Sequence, residues 1–222
     1  MQESGQNIHM PKMTPDWTFE REAKKLAKNK GAAICGVDEA GRGPLAGPVV
    51  ACAVILNQQN YPSGLNDSKT LSKKRRDALY YEILQLADVG IGIAEPEEID
   101  RFNILHASLR AMQRAIYDLP QMPGHALIDG NHTPPDRLGT TLSYEPIVKG
   151  DSRSLSIAAA SIIAKVKRDR IMQEAALRFP GYGFAQHKGY PTRQHREALI
   201  RLGPSPIHRF SFAPVRAVKL MN

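Results

Sequence analysis

The amino-acid sequence predicts an α/β protein, one sheet covered by helices. Short apolar runs rich in β-branched residues recur along it, such as Pro48 to Leu56 (PVVACAVIL). Longer stretches carry apolar residues at steps of three and four, most clearly from Glu97 to Leu119. The two kinds alternate roughly as ββαβαββα, and strands interleaved with amphipathic helices pack as one layered sheet.

Residues 1–15 are polar, hold two prolines and read as a flexible leader; 16–222 are expected to form a single domain. The stretch DWTFEREAKKLAKNKG has an acid near its start, lysines near its end and Gly31 as a stop. It predicts a short helix packing through Trp17, Phe19 and Leu26. Ala32 to Val37 is a buried-strand run that leads into Asp38-Glu39, and Pro48 to Leu56 is the next strand. Between them GRGPLAGP holds three glycines and two prolines, so it must be a turn with special backbone angles, joining an antiparallel hairpin.

Ser72 is placed to cap a helix running through SKKRRDALYYEILQLA. Val89 to Ala94 is a third strand. The helix from Glu97 to Leu119 puts Phe102, Leu105, Leu109, Met112, Ile116 and Leu119 on one face. His125 to Ile128 and Tyr144 to Lys149 are two more strands. A long helix over Ser154 to Phe179 has small side chains in its first half (SIAAASIIAKV), which lets it lie close against a sheet. Two shorter helical pieces follow, one starting near Thr192.

Composition narrows the class of protein. With 42% apolar residues among 222, the chain can bury a proper core. It has no apolar run of the roughly 18–20 residues that span a bilayer and no secretory signal, so a cytoplasmic protein is expected. Cys35 and Cys52 sit in apolar runs without CxxC spacing and read as buried free thiols. Net charge is +8, and from Ala185 onward seven Lys/Arg face Glu197 alone. That clustering suits a polyanion, although a merely solvated basic surface explains charge equally well.

The chemical signal lies in carboxylates. Asp38-Glu39, Asp129 and Asp151 each fall where an apolar strand runs into a Gly-containing turn, and strand ends of open α/β sheets are where sites form. Asp beside Gly is also ordinary turn chemistry. Four carboxylates brought together, however, repel unless cations neutralise them, and hard oxygen donors suit Mg²⁺ or Mn²⁺. No His/Cys cluster has zinc spacing. A regular strand sends Asp38 and Glu39 to opposite faces, so a shared site requires the backbone to turn irregularly at or just after them, near Ala40-Gly41.

The blocks GVDEAGRGPLAGPVVACAVIL, LNDSKTLSKKRR, ALIDGN, KGDSRSLSIAAASIIAKVKRDR and YGFAQHKGYPT occur in that order, and the sequence resembles the ribonuclease HII family from about Thr18 to Val215. The resemblance implies a ribonuclease H-like mixed five-stranded sheet flanked by helices, with a C-terminal helical region (about 180–222). The stretch before the first strand is too short for the additional N-terminal domain of ribonuclease HIII. Asp38, Glu39, Asp129 and Asp151 match the family's catalytic, metal-binding carboxylates. Two divalent ions are implied, one activating water and one stabilising the leaving oxygen. The implied substrates are RNA–DNA hybrids and duplex DNA holding single ribonucleotides, cut to leave 5′-phosphate and 3′-hydroxyl.

Gly41-Arg42-Gly43 matches the turn that reads the ribose 2′-hydroxyl through its backbone, and Tyr190 the residue that stacks at the RNA–DNA junction. Lys69 and Lys188, in signature blocks, are expected phosphate contacts. Lys165, Lys167, Arg168 and Arg170 read as the exposed face of their helix, with Lys165 nearest the site. His187 and His208 read as structural hydrogen-bonders. A monomer is expected, since no heptad pattern is present; a sliding clamp stays open as a partner. Two other readings remain: a DNA-only nuclease on a similar sheet, for which a 2′-hydroxyl reader would be useless, and a non-catalytic nucleic-acid-binding module, which would not need four carboxylates.

Overall fold

The computed structural model describes residues 14–26, 31–135 and 142–220. The leader expected over 1–15 therefore lies almost wholly outside the described residues, as does the side chain of Leu26. Helix α1 (Thr18–Leu26) begins where the Asp16 carboxylate accepts the Thr18 N–H at 2.8 Å. Trp17 packs edge-on against Tyr61 with ring centres 5.0 Å apart, and Phe19 joins Ala23 and Ile34 in an apolar cluster.

Five strands form one sheet: β1 (Ile34–Ala40), β2 (Val49–Leu56), β3 (Ala87–Ala94), β4 (His125–Asp129) and β5 (Ser143–Ile147), in the order β3-β2-β1-β4-β5. The first three pair antiparallel; β4 lies parallel to β1, and β5 parallel to β4. The expected mixed sheet and the expected hairpin are both present. Helix α2 (Lys73–Leu86) starts at Ser72, whose hydroxyl accepts the Arg75 N–H. Helix α3 (Pro96–Tyr117) covers one face of the sheet and α4 (Leu155–Arg178) the other. With both faces covered, β2 carries no polar residue.

Alternation along β1 and β2 assigns the faces. Cys35, Val37, Val49, Ala51 and Ala53 pack with α3, whereas Val50, Cys52 and Val54 pack with α4. Both cysteines are buried free thiols. On the α4 side Gly36 lets the helix approach: a Cβ there would stand 2.2 Å from the Ile157 nitrogen. Ala158, Ala159 and Ala160 continue the close contact.

Helix α3 departs from the predicted single stripe. Asn103 has φ 63° and ψ 167°, and its side-chain oxygen accepts the N–H groups of Leu105 and His106 at 3.0 and 3.1 Å. It therefore caps a second helical segment, as Asn does at helix starts. The residues packed deepest after this break are Ala107, Ala111, Met112, Ala115 and Ile116; Phe102 and Leu105, ahead of or at the break, are only half-buried.

After β5, Lys149 takes a left-handed turn (φ 56°) into a single 3₁₀ turn, Gly150–Ser152, and Ser154 caps α4. Three short helices close the fold: α5 (Phe184–His187), α6 (Arg193–Leu202) with Thr192 as its cap, and α7 (Ala213–Lys219). They clamp the segment between β1 and β2, burying Leu45 against Leu199 and Val215, and Ala46 against Met172 and Phe184.

Candidate active site

Asp38, Asp129 and Asp151 arrive from three elements: β1, the last residue of β4, and the 3₁₀ turn ahead of α4. One carboxylate oxygen from each lies within 4.8 Å of the other two. Parallel register explains the first two, because Val37 opposes Ile128 and the next residues share a face. Asp151 is brought in by the turn rather than by β5, which ends at Ile147. The Gly150 N–H donates to Asp129 Oδ1 at 2.7 Å, locking that turn onto the end of β4.

The electrostatics are those of an uncompensated anionic site. Burial, then the charges of Glu39 and Asp129, hold the Asp38 carboxyl well above its usual range. Burial and Asp151 raise Asp129 as well. The Lys69 ammonium is the one cation in contact with this trio among the described residues, 3.3 Å from Asp151 Oδ2. Burial works to lower Lys69, but Asp151, Asp67 and Asp38 outweigh it and raise its pKa. One exposed ammonium cannot neutralise three carboxylates, and this oxygen-only donor set fits a hard divalent cation.

The irregular turn falls where it was expected, just after the pair, at Gly41, but Glu39 stands apart from the three aspartates. The backbone does not turn irregularly at Asp38 or Glu39: β1 stays paired with β2 through Ala40, with Asp38 opposite Cys52 and Glu39 opposite Ala51. The first departure is Gly41, at φ 102°. Glu39 therefore leaves β1 on the α3 side, outside the three-aspartate group. It accepts from Arg42 Nη1 at 3.3 Å, yet its buried Oε2 has no hydrogen-bond partner among the described residues. Burial raises its pKa to about 7, with Arg42 opposing and Asp129 adding to the rise.

Of the Gly41-Arg42-Gly43 turn, Gly41 is buried against Arg168, whereas Arg42, which reaches Glu39, and Gly43 are exposed. A Cβ on Gly43 would lie 3.7 Å from the Tyr190 ring, so the turn and the half-exposed tyrosine share one surface. Lys188 has a left-handed backbone (φ 52°), and its ammonium donates to the Ala185 carbonyl. Lys165 does not reach the aspartates; it pairs with Asp169 at 2.7 Å.

Arg168 contradicts its reading as an exposed helix residue. It is 1% exposed, and Arg209, counted above with the basic tail, is fully buried. Burial lowers their guanidinium pKa values to about 10 and about 9, which leaves both charged at neutral pH. Helical phase could have revealed Arg168, since Ala164, Arg168, Met172 and Ala175 follow at steps of four and three on the buried face. Nothing in the sequence marks Arg209. His187 and His208 are hydrogen-bonded in the interior, as expected, together with His195, which the sequence did not single out.

Three carboxylates gathered at the ends of neighbouring strands β1 and β4 of a mixed sheet, on a basic molecule, suit metal-dependent chemistry on a polyanion, and similarity to known proteins places this sheet in the ribonuclease H-like class. Residues 35–215 match the family model described as Ribonuclease HII. The chain is 53% identical over 204 residues to a ribonuclease HII of Parvibaculum lavamentivorans, spanning 92% of this chain and 73% of that protein. It is 58% identical over 184 residues to that of Maricaulis maris, 83% of each. The chain belongs to the ribonuclease HII family.

Among solved structures it resembles ribonuclease H2 of Pyrococcus horikoshii, with TM-score 0.70 and 27% identity over 85% of this chain and 97% of that one. It also resembles the ribonuclease HII of Archaeoglobus fulgidus solved as a PCNA complex, with TM-score 0.61, 27% identity and 81% and 95% coverage. A Bst ribonuclease HIII in complex with Mn²⁺ shares the fold at TM-score 0.68 and 18% identity, over 86% and 70% of the two chains.

Proposed function

We propose that this endonuclease of RNA–DNA hybrids also cuts on the 5′ side of single ribonucleotides embedded in duplex DNA, leaving a 5′-phosphate and a 3′-hydroxyl. The convergence of Asp38, Asp129 and Asp151 within 4.8 Å carries the reading. These three would hold Mg²⁺ or Mn²⁺, and the orphaned Oε2 of Glu39 makes it a fourth ligand candidate. Bound divalent cations supply an activated water and stabilisation of the leaving oxygen.

The chain's own residues do the remaining work. Gly150 orients Asp129 through its N–H, and Lys69 and Lys188 offer ammonium groups to phosphates. The Gly41-Arg42-Gly43 turn offers backbone groups to the ribose, the 2′-hydroxyl being what separates RNA from DNA. Tyr190 sets its half-exposed ring beside Gly43, as a platform for the deoxyribose across the junction.

The test is a duplex with one ribonucleotide, incubated with Mg²⁺ or Mn²⁺ and mapped at single-nucleotide resolution. A cut 5′ of the ribonucleotide is expected, lost with a chelator or with Asp38→Asn. Equal cutting of an all-DNA duplex would overturn the reading.

A further inference from the structure

The turn between β1 and β2 rests on two buried arginines, neither with a carboxylate at ion-pair distance among the described residues. Arg209 donates to the carbonyls of Gly41 at 2.6 Å, Arg42 at 3.0 Å, Pro44 at 2.7 Å and Gly47 at 2.8 and 3.0 Å. Its own N–H donates to the Leu45 carbonyl at 2.9 Å. Arg168 donates to Pro48 at 2.9 Å, Ala46 at 3.1 Å and, across to the Tyr190 loop, Lys188 at 3.0 Å. Burying a guanidinium without a counter-ion is unfavourable, and an apolar side chain would fill the space more cheaply. What an apolar residue cannot do is fix the direction of successive carbonyls.

Direction matters because a trans peptide points its C=O and its N–H to opposite sides. The Gly41 carbonyl shares a peptide plane with the Arg42 N–H, and the Arg42 carbonyl with the Gly43 N–H. Arg209 draws both carbonyls inward, so both N–H groups turn outward. Among the described residues neither of them donates a backbone hydrogen bond. We propose that Arg209, backed by Arg168, is a positioning residue for ribose recognition: it aims the Arg42 and Gly43 amides at the 2′-hydroxyl. This rests on the substrate reading given above.

Arg209→Lys and Arg168→Lys keep the charge and lose the fork. Each is expected to lower kcat/KM on the single-ribonucleotide duplex by roughly tenfold or more, about one hydrogen bond's worth of discrimination, with the Kd for an otherwise identical all-DNA duplex held within about twofold. Equal loss on both duplexes, or no loss, overturns the proposal. A wild-type protein that does not cut the ribonucleotide duplex sinks the substrate reading instead. If the variants do not fold, wild-type amide resonances measured with chelator decide. Arg42 and Gly43 must shift with the ribonucleotide duplex and not with its all-DNA counterpart; identical shifts overturn the proposal.

Discussion

Asp38 is buried beside two other aspartates, and its raised pKa means that its ionised form opposes folding when no cation is bound. A carboxyl whose folded pKa exceeds its unfolded one, about 3.9, destabilises the fold increasingly as pH rises above that unfolded value. Removing the charge should therefore stabilise the metal-free protein even as it abolishes cleavage. Asp38→Asn is expected to raise Tm in chelator at pH 7 by about 2–4 °C per kcal/mol relieved, with the gain shrinking as pH falls toward 4. A lower Tm at pH 7 would show that Asp38 carries no net repulsion. Tyr190 has a different signature. Its ring is half-exposed, so Tyr190→Ala should keep the fold and weaken single-ribonucleotide cleavage more than cleavage of long hybrids. Equal loss on both substrates would remove its role at the junction.

Helix α6 is tied to the loops on either side of it by histidines whose protons the geometry assigns. Ser205 donates its N–H to His208 Nδ1 at 2.9 Å, so His208 carries its proton on Nε2 and gives it to His195 Nε2 at 3.0 Å. His195 then donates from Nδ1 to the Tyr190 carbonyl at 2.9 Å. Only one proton fits between the two Nε2 atoms, and burial followed by His195 lowers the His208 pKa to about 4. A histidine whose folded pKa lies below its unfolded 6.5 stabilises the fold above pH 6.5, and this contribution fades as pH falls toward 4. The stability advantage of wild type over His208→Asn should thus shrink by about 2 kcal/mol between pH 7 and 5, read from urea midpoints. A constant advantage would mean that His208 does not titrate there. Such elements show what the sequence made legible. Strand order of appearance, the Ser72 cap, the helix starts at Ser154 and near Thr192 and the small-sided α4 were readable because each is a local pattern. The Asn103 break was present as a capping residue but hidden inside a persuasive three-four periodicity. The histidine relay and Arg209 were not readable, since they join residues through packing that no local spacing records.

Across the whole molecule, net charge +8 surrounds an anionic centre, and the three aspartates were legible as a group only because strand ends are where sheet sites form. Which charges meet the nucleic acid was not legible. Of the seven basic residues after Ala185, Arg209 lies inside the protein and Arg193 is paired with Glu197 at 2.7 Å. Arg168 is likewise spent on carbonyls, and Lys165 on Asp169. A count of basic residues therefore overstates the surface that phosphates encounter. Salt dependence measures that surface directly, because each phosphate contact contributes about −0.9 to the slope of log K against log salt on duplex DNA. Lys69, whose 79% exposed side chain stands 3.3 Å from Asp151, and the half-buried Lys188 are the expected contacts. Lys69→Ala and Lys188→Ala should each make the slope shallower by about 0.9, whereas Arg209→Lys should leave it unchanged, its charge being turned toward the protein's own carbonyls. A slope that stays constant in both lysine variants would remove their phosphate role and move the polyanion track to the exposed arginines Arg196, Arg201 and Arg216.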